Sequence, residues 1–76
     1  MSEEKRRREA RLAQGQALAP TLVGLSRAEA VERLRAEGFH PQVIPPTQKA
    51  LTMDLRFERV RVWVDGDDQV IRAHAG

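Results

Sequence analysis

Cysteine is absent from the 76 residues. That removes disulfides, thiolate zinc sites and thiol nucleophiles together, and it suits a reducing compartment. Histidine is nearly as scarce: His40 and His74 stand alone, with no partner at metal-ligand spacing. Apolar runs are short, and none approaches membrane-spanning length. The N-terminus carries charges where a signal peptide would need an apolar stretch. A cytoplasmic location and no membrane contact are therefore expected, with secretion by another route left open. No nucleophile sits in a recognisable triad setting, and Gly24 and Gly38 mark turns, not a phosphate loop. Neither an enzyme nor a cofactor is expected. The length allows one small domain, and a core of that size is marginal on area alone.

The formal net charge of +2 is modest, but its distribution is uneven. Lys5, Arg6, Arg7, Arg8 and Arg11 crowd the start of the chain against Glu3, Glu4 and Glu9, and the remainder is close to neutral. Ser2 to Gln16 is rich in helix formers yet has only Leu12 as a large aliphatic, so nothing is expected to fix it to a core. The segment reads as a frayed helix or disordered arm, with Gly15 to Pro20 as a linker. Residues 1–19 are thus expected to form a flexible basic arm and residues 20–76 the folded domain.

Leu25-Ser26-Arg27-Ala28-Glu29 is the clearest boundary. Ser26 and Glu29 have capping-box spacing, with Leu25 and Ala30 at the staple positions. A helix is expected to run to about Glu37, burying Ala30, Val31 and Leu34 and stopping at Gly38. Phe39 to Ile44 is a short strand, and Pro41 confines it to an edge or to its first residues. Arg59 to Val64 is the strongest strand. Asp65-Gly66-Asp67-Asp68 reads as a hairpin turn, too short for a calcium loop, before a last strand from Gln69 to His74.

Between the first two strands the pattern contradicts itself. Leu51, Met53, Leu55 and Phe57 place apolar side chains on odd positions, whereas Val60, Val62 and Val64 place them on even ones. A strand has a side-chain period of two, so one phase slip exchanges its faces. A bulge at Glu58-Arg59 would account for the slip. So would an extended, exposed segment feeding a true strand. If the flanking strands are parallel neighbours, the long segment is their crossover. Val60, Val62 and Val64 would then face the helix, and Arg59, Arg61 and Trp63 would face the crossing chain.

Thr52-Met53-Asp54-Leu55-Arg56, followed by Arg59-Val60-Arg61-Val62, resembles the reactive-site segment of the potato inhibitor I family, the chymotrypsin inhibitor 2 and eglin c type. The similarity extends to Leu22-Val23-Gly24-Leu25-Ser26, to the proline ahead of the loop and to Gly76, and covers about Pro20 to Gly76. It implies an α+β fold: one helix on a small mixed sheet with a parallel central pair and a long exposed reactive-site loop between the parallel strands. It also implies inhibition of a serine protease of the subtilisin or chymotrypsin type. A monomer is expected, although an exposed edge strand would also allow pairing with a second copy. The loop would comprise Ala50, Leu51, Thr52, Met53, Asp54, Leu55 and Arg56, with Met53-Asp54 as the scissile bond and Arg59 and Arg61 as its supports. Three departures stand out: Ala19 where the family commonly has tryptophan, Gln48 where relatives often have glycine, and Ala73-His74-Ala75 without the usual proline.

Two other readings compete. Arg56, Arg59 and Arg61 would also suit a phosphate-binding patch, but a single tryptophan offers no stacking series, and nucleic acid is not the expected partner. The chain would alternatively be a non-inhibitory member of the same fold that binds a protein or nucleic acid through its basic arm.

Overall fold

The computed structural model describes residues 3–48 and 56–76. Helix α1 (Glu3–Leu22) and helix α2 (Arg27–Ala36) are followed by strands β1 (His40–Ile44), β2 (Arg59–Val64) and β3 (Val70–Ala75). The strands form one sheet in the order β1-β2-β3. β1 and β2 run parallel, from His40 opposite Arg59 to Ile44 opposite Trp63. β3 returns antiparallel to β2, with an irregularity at Trp63/Val64. The fold is α+β with a parallel pair, and two helices are packed on the sheet where one was expected. No helix among the described residues is long and apolar enough to cross a membrane.

Local chemistry explains α2 at both ends. The Ser26 hydroxyl accepts from the Glu29 N–H at 3.2 Å and donates to the Glu29 carboxylate at 3.1 Å, which caps the first turn. At the far end the Glu37 N–H reaches the Arg33 carbonyl and the Gly38 N–H the Arg35 carbonyl. Gly38 has φ +79°, the left-handed conformation that a glycine adopts without strain. Ala30 and Leu34 are buried as expected, while Val31 is half-buried.

The alternation of β2 resolves as the sequence implied. Val60, Val62 and Val64 are buried, and Arg59, Arg61 and Trp63 are half-buried on the other face. The valines join Ala30 and Leu34 of α2, Phe39, Val70 and Ala75 in one core cluster. Ile44 is equally buried but stands outside that cluster; its register places it beside Trp63, on the arginine face. Pro41 is accommodated because β1 is an edge strand. The hairpin turn is closed by Asp65, whose Oδ1 accepts from the N–H groups of Asp67 at 2.9 Å and Gln69 at 3.0 Å.

The N-terminal segment departs from expectation. Residues 15–20, read as a linker, are helical, and the second half of α1 lies on the core. Gly15, Ala19 and Leu22 are buried, and Leu12 and Leu18 pack against the cluster. Leu12, Gly15, Ala19 and Leu22 recur at intervals of three and four, which is a helix stripe. Two of its members are too small to register as an apolar face, which is why the sequence concealed it. Their smallness is what lets the helix come close. A Cβ added at Gly15 would lie 3.0 Å from the Ala75 Cβ and 3.3 Å from the Phe39 ring. Pro20 removes one helical donor, but both it and Gln16, whose carbonyl loses that bond, are exposed to water.

Arg11 fastens the helix further. Its Nη2 donates to the Glu37 carbonyl at 2.6 Å, and its guanidinium carbon sits 3.9 Å from the centroid of the Phe39 ring. One side chain thus binds α1 to the C-terminus of α2 and stacks on the core aromatic.

The packing of α1 makes a graded prediction. Gly15→Val is expected to destabilise the fold by about 1–3 kcal/mol through overpacking. Gly15→Ala is expected to cost less, because alanine regains about 1 kcal/mol of helix propensity. Thermal midpoints equal to wild type for both would show that the helix does not rest on the sheet.

Candidate functional site

The geometry of the site follows from the parallel pairing. The chain leaves β1 at Ile44 and must re-enter β2 at Arg59, four residues back along the sheet. That separation is about 14 Å at strand rise and spacing. The connecting residues 45–58 have a contour of about 45–50 Å, roughly three times the length needed.

Both roots of this segment are closed by turns. On the upstream side the Gln48 N–H donates to the Pro45 carbonyl at 3.1 Å. On the downstream side the Arg59 N–H reaches the Arg56 carbonyl at 3.4 Å, and the His40 N–H donates to the Glu58 carbonyl at 2.7 Å. The turn before β2 is therefore stitched to the first residue of β1. Phe57 within it is half-buried.

Of the residues singled out as a reactive-site loop, Ala50, Leu51, Thr52, Met53, Asp54 and Leu55 lie outside the described residues. Arg56 is described, exposed at the downstream root. Arg59 and Arg61 lie where the alternation put them, on one face of β2 and opposite the valine core.

Their anchorage was not legible beforehand. The Arg59 Nε donates to the Gly76 carbonyl oxygen at 2.8 Å, and the Gly76 N–H donates to the Arg59 carbonyl at 3.0 Å. The Arg61 Nε donates to Gln42 Oε1 at 3.2 Å. Gln42 is the parallel-register partner of Arg61, so β1 supplies the support for a side chain of β2. In each case the Nε is one anchor among the guanidinium's donors, and both arginines make further interactions. Only knowledge of the strand register would have pointed to Gln42. Gly76 had no periodic signal at all.

The rest of this face is also ordered by charge. The Arg72 guanidinium carbon lies 4.7 Å from the Trp63 ring centroid, across the antiparallel pair. The tryptophan is thus capped by a cation from its own sheet.

This architecture is a known one. A sequence profile of the potato inhibitor I family matches residues 19–73, and the chain belongs to that family. The crystal structure of bitter gourd trypsin inhibitor is similar, with a TM-score of 0.66 and 34% identity over 76% of this chain and 88% of that one. The elastase inhibitor AFUEI shares the fold, with a TM-score of 0.58 and 20% identity over 84% of this chain and 91% of that one. No curated protein sequence matches the chain.

The anchorage of Arg59 is open to test. Arg59→Met keeps the aliphatic stem and removes the donors. It is expected to cost about 1 kcal/mol, a half-exposed charged hydrogen bond being weaker than a buried one. Amide exchange at Gly76 should quicken beyond the change in global stability. An unchanged Gly76 rate would mean that the arginine does not hold that end of the sheet.

Proposed function

We propose that this member of the potato inhibitor I family is a reversible, substrate-like inhibitor of a serine protease of the subtilisin or chymotrypsin type. Residues Ala50 to Arg56 present Met53-Asp54 as the bond offered for cleavage. The observation that carries the reading is the surplus chain between two parallel strands in fixed register, with a hydrogen-bonded turn at each root. A segment held at both ends loses less entropy on docking than a free chain, whose backbone ordering costs about 1–2 kcal/mol per residue. More of its contact energy therefore appears as affinity.

Inhibition also requires that cleavage be unproductive. After attack by the protease serine at the Met53 carbonyl, the new amine belongs to Asp54. If it stays near the acyl-enzyme, religation outruns hydrolysis. Arg59 and Arg61 rise from the central strand and are held by Gly76 and Gln42. In this reading these arginines also donate to the Thr52 hydroxyl or nearby carbonyls and to the Asp54 carboxylate. They would do without covalent bonds what disulfides do elsewhere.

Met53 is unbranched and polarisable, and it suits a broad apolar specificity pocket. It lacks the cation that a trypsin-type pocket pairs with its aspartate. The binding role proposed through the basic arm has less support. Arg11 is turned onto Phe39 and the Glu37 carbonyl, and Arg8 pairs with Glu4 at 2.6 Å.

Titration of subtilisin, chymotrypsin and trypsin with the purified protein is expected to inhibit the first two. Absence of inhibition of either at micromolar concentration, with the fold intact by circular dichroism, would remove the proposal. Met53→Lys should shift preference towards trypsin, and an unchanged profile would mean a different contact bond. Arg61→Ala is expected to speed cleavage of the inhibitor by its target more than it lowers stability. Equal or slower cleavage would count against the tethering role.

A further inference from the structure

We propose that α1 is a working part of the inhibitory scaffold, in which Arg8 is a positioning residue for the downstream root of the 45–58 segment. This rests on the inhibitor reading above. The second half of α1 is fixed by the Gly15 contact with the sheet and by Arg11 on Glu37 and Phe39. A helix is stiff over a single turn, so fixing Arg11 also fixes the residue three positions earlier on the same face. That residue is Arg8.

The Arg8 guanidinium carbon lies 6.0 Å from the Phe57 ring centroid, at the outer limit of a cation–π contact. The Glu4 carboxylate, one turn back, receives its Nη2 at 2.6 Å and orients it. Phe57 belongs to the turn that leads into β2. β1 already ties that turn from one side through the His40 N–H and the Glu58 carbonyl, at 2.7 Å. α1 approaches as a second tether. Between helix and turn lies a hollow of ≈ 740 Å³ walled by Arg8 together with His40, Gln42, Phe57 and Arg59. The helix thus shares a boundary with both the loop root and a loop-supporting arginine.

The tether matters because of covalent reach. Asp54, which carries the new amine, is joined to Phe57 by three residue steps, a span of about 10 Å at most. Whatever restrains Phe57 restrains how far that amine strays from the acyl-enzyme. In a domain without cysteine, a docked helix supplies this restraint through packing and one cation.

The test compares Arg8→Ala and Arg8→Lys with Arg6→Ala, which makes the same charge change at an exposed position of the same helix. Amide exchange at His40 and Arg59 is read in the free protein, and the rate of inhibitor cleavage by subtilisin in the complex. Arg8→Ala is expected to raise both by about two- to five-fold, as the loss of an exposed cation–π contact allows. Arg8→Lys should recover part of this, and Arg6→Ala should change neither. Exchange in Arg8→Ala equal to that in Arg6→Ala would overturn the tether. Faster exchange with unchanged cleavage would overturn its role in inhibition. If the wild-type protein inhibits no protease, the inhibitor reading fails, and the exchange rates still decide whether α1 holds the turn.

Discussion

The parallel pairing of β1 and β2 is the constraint on which the rest depends. Parallel neighbours cannot be joined by a tight turn, so the chain must travel back along the sheet before re-entering it. Here the register sets Ile44 against Trp63 and His40 against Arg59, and the connecting residues exceed the gap about threefold. The same register puts Gln42 beside Arg61 and the His40 N–H beneath the Glu58 carbonyl. A slip of one residue would exchange the two faces of β2, sending arginines into the core. The valines on the far face prevent it. The valine core and the arginine face are therefore the two sides of one strand.

The second constraint is area. A small domain without disulfides must cover its sheet with whatever chain it has. Helix α1 supplies part of that cover, with Gly15, Ala19 and Leu22 buried. Gly15 lets the backbone of α1 approach Ala75 and Phe39, Ala19 and Leu22 are buried within the core, and Leu12 and Leu18 pack against it. Arg11 adds a contact that closes α2 and stacks on Phe39. The charges near the start of the chain are in part turned inward, onto the domain.

Much of the fold was legible because its signals are local. The Ser26 cap, the Gly38 stop, the alternation of β2 and the Asp65 turn each depend on residues a few positions apart. Their energetics act within one turn or one strand. The phase slip at Glu58-Arg59 was legible too, and in the structure the turn at 56–58 meets β2 there. The α1 stripe was not. Its members include glycine and alanine, whose contribution is close approach and not apolar area.

By itself, the sequence determined α2, the three strands and the two faces of β2, together with the Thr52-Met53-Asp54 motif between β1 and β2. These depend on side-chain period and capping, which are properties of neighbouring residues. Only the tertiary structure decided that α1 docks on the sheet, that Gly76 and Gln42 hold Arg59 and Arg61, and that Arg8 reaches Phe57. Those contacts join residues far apart in the chain, between groups that are small, polar or charged. No period marks them, and they exist only once register and packing have brought their partners together.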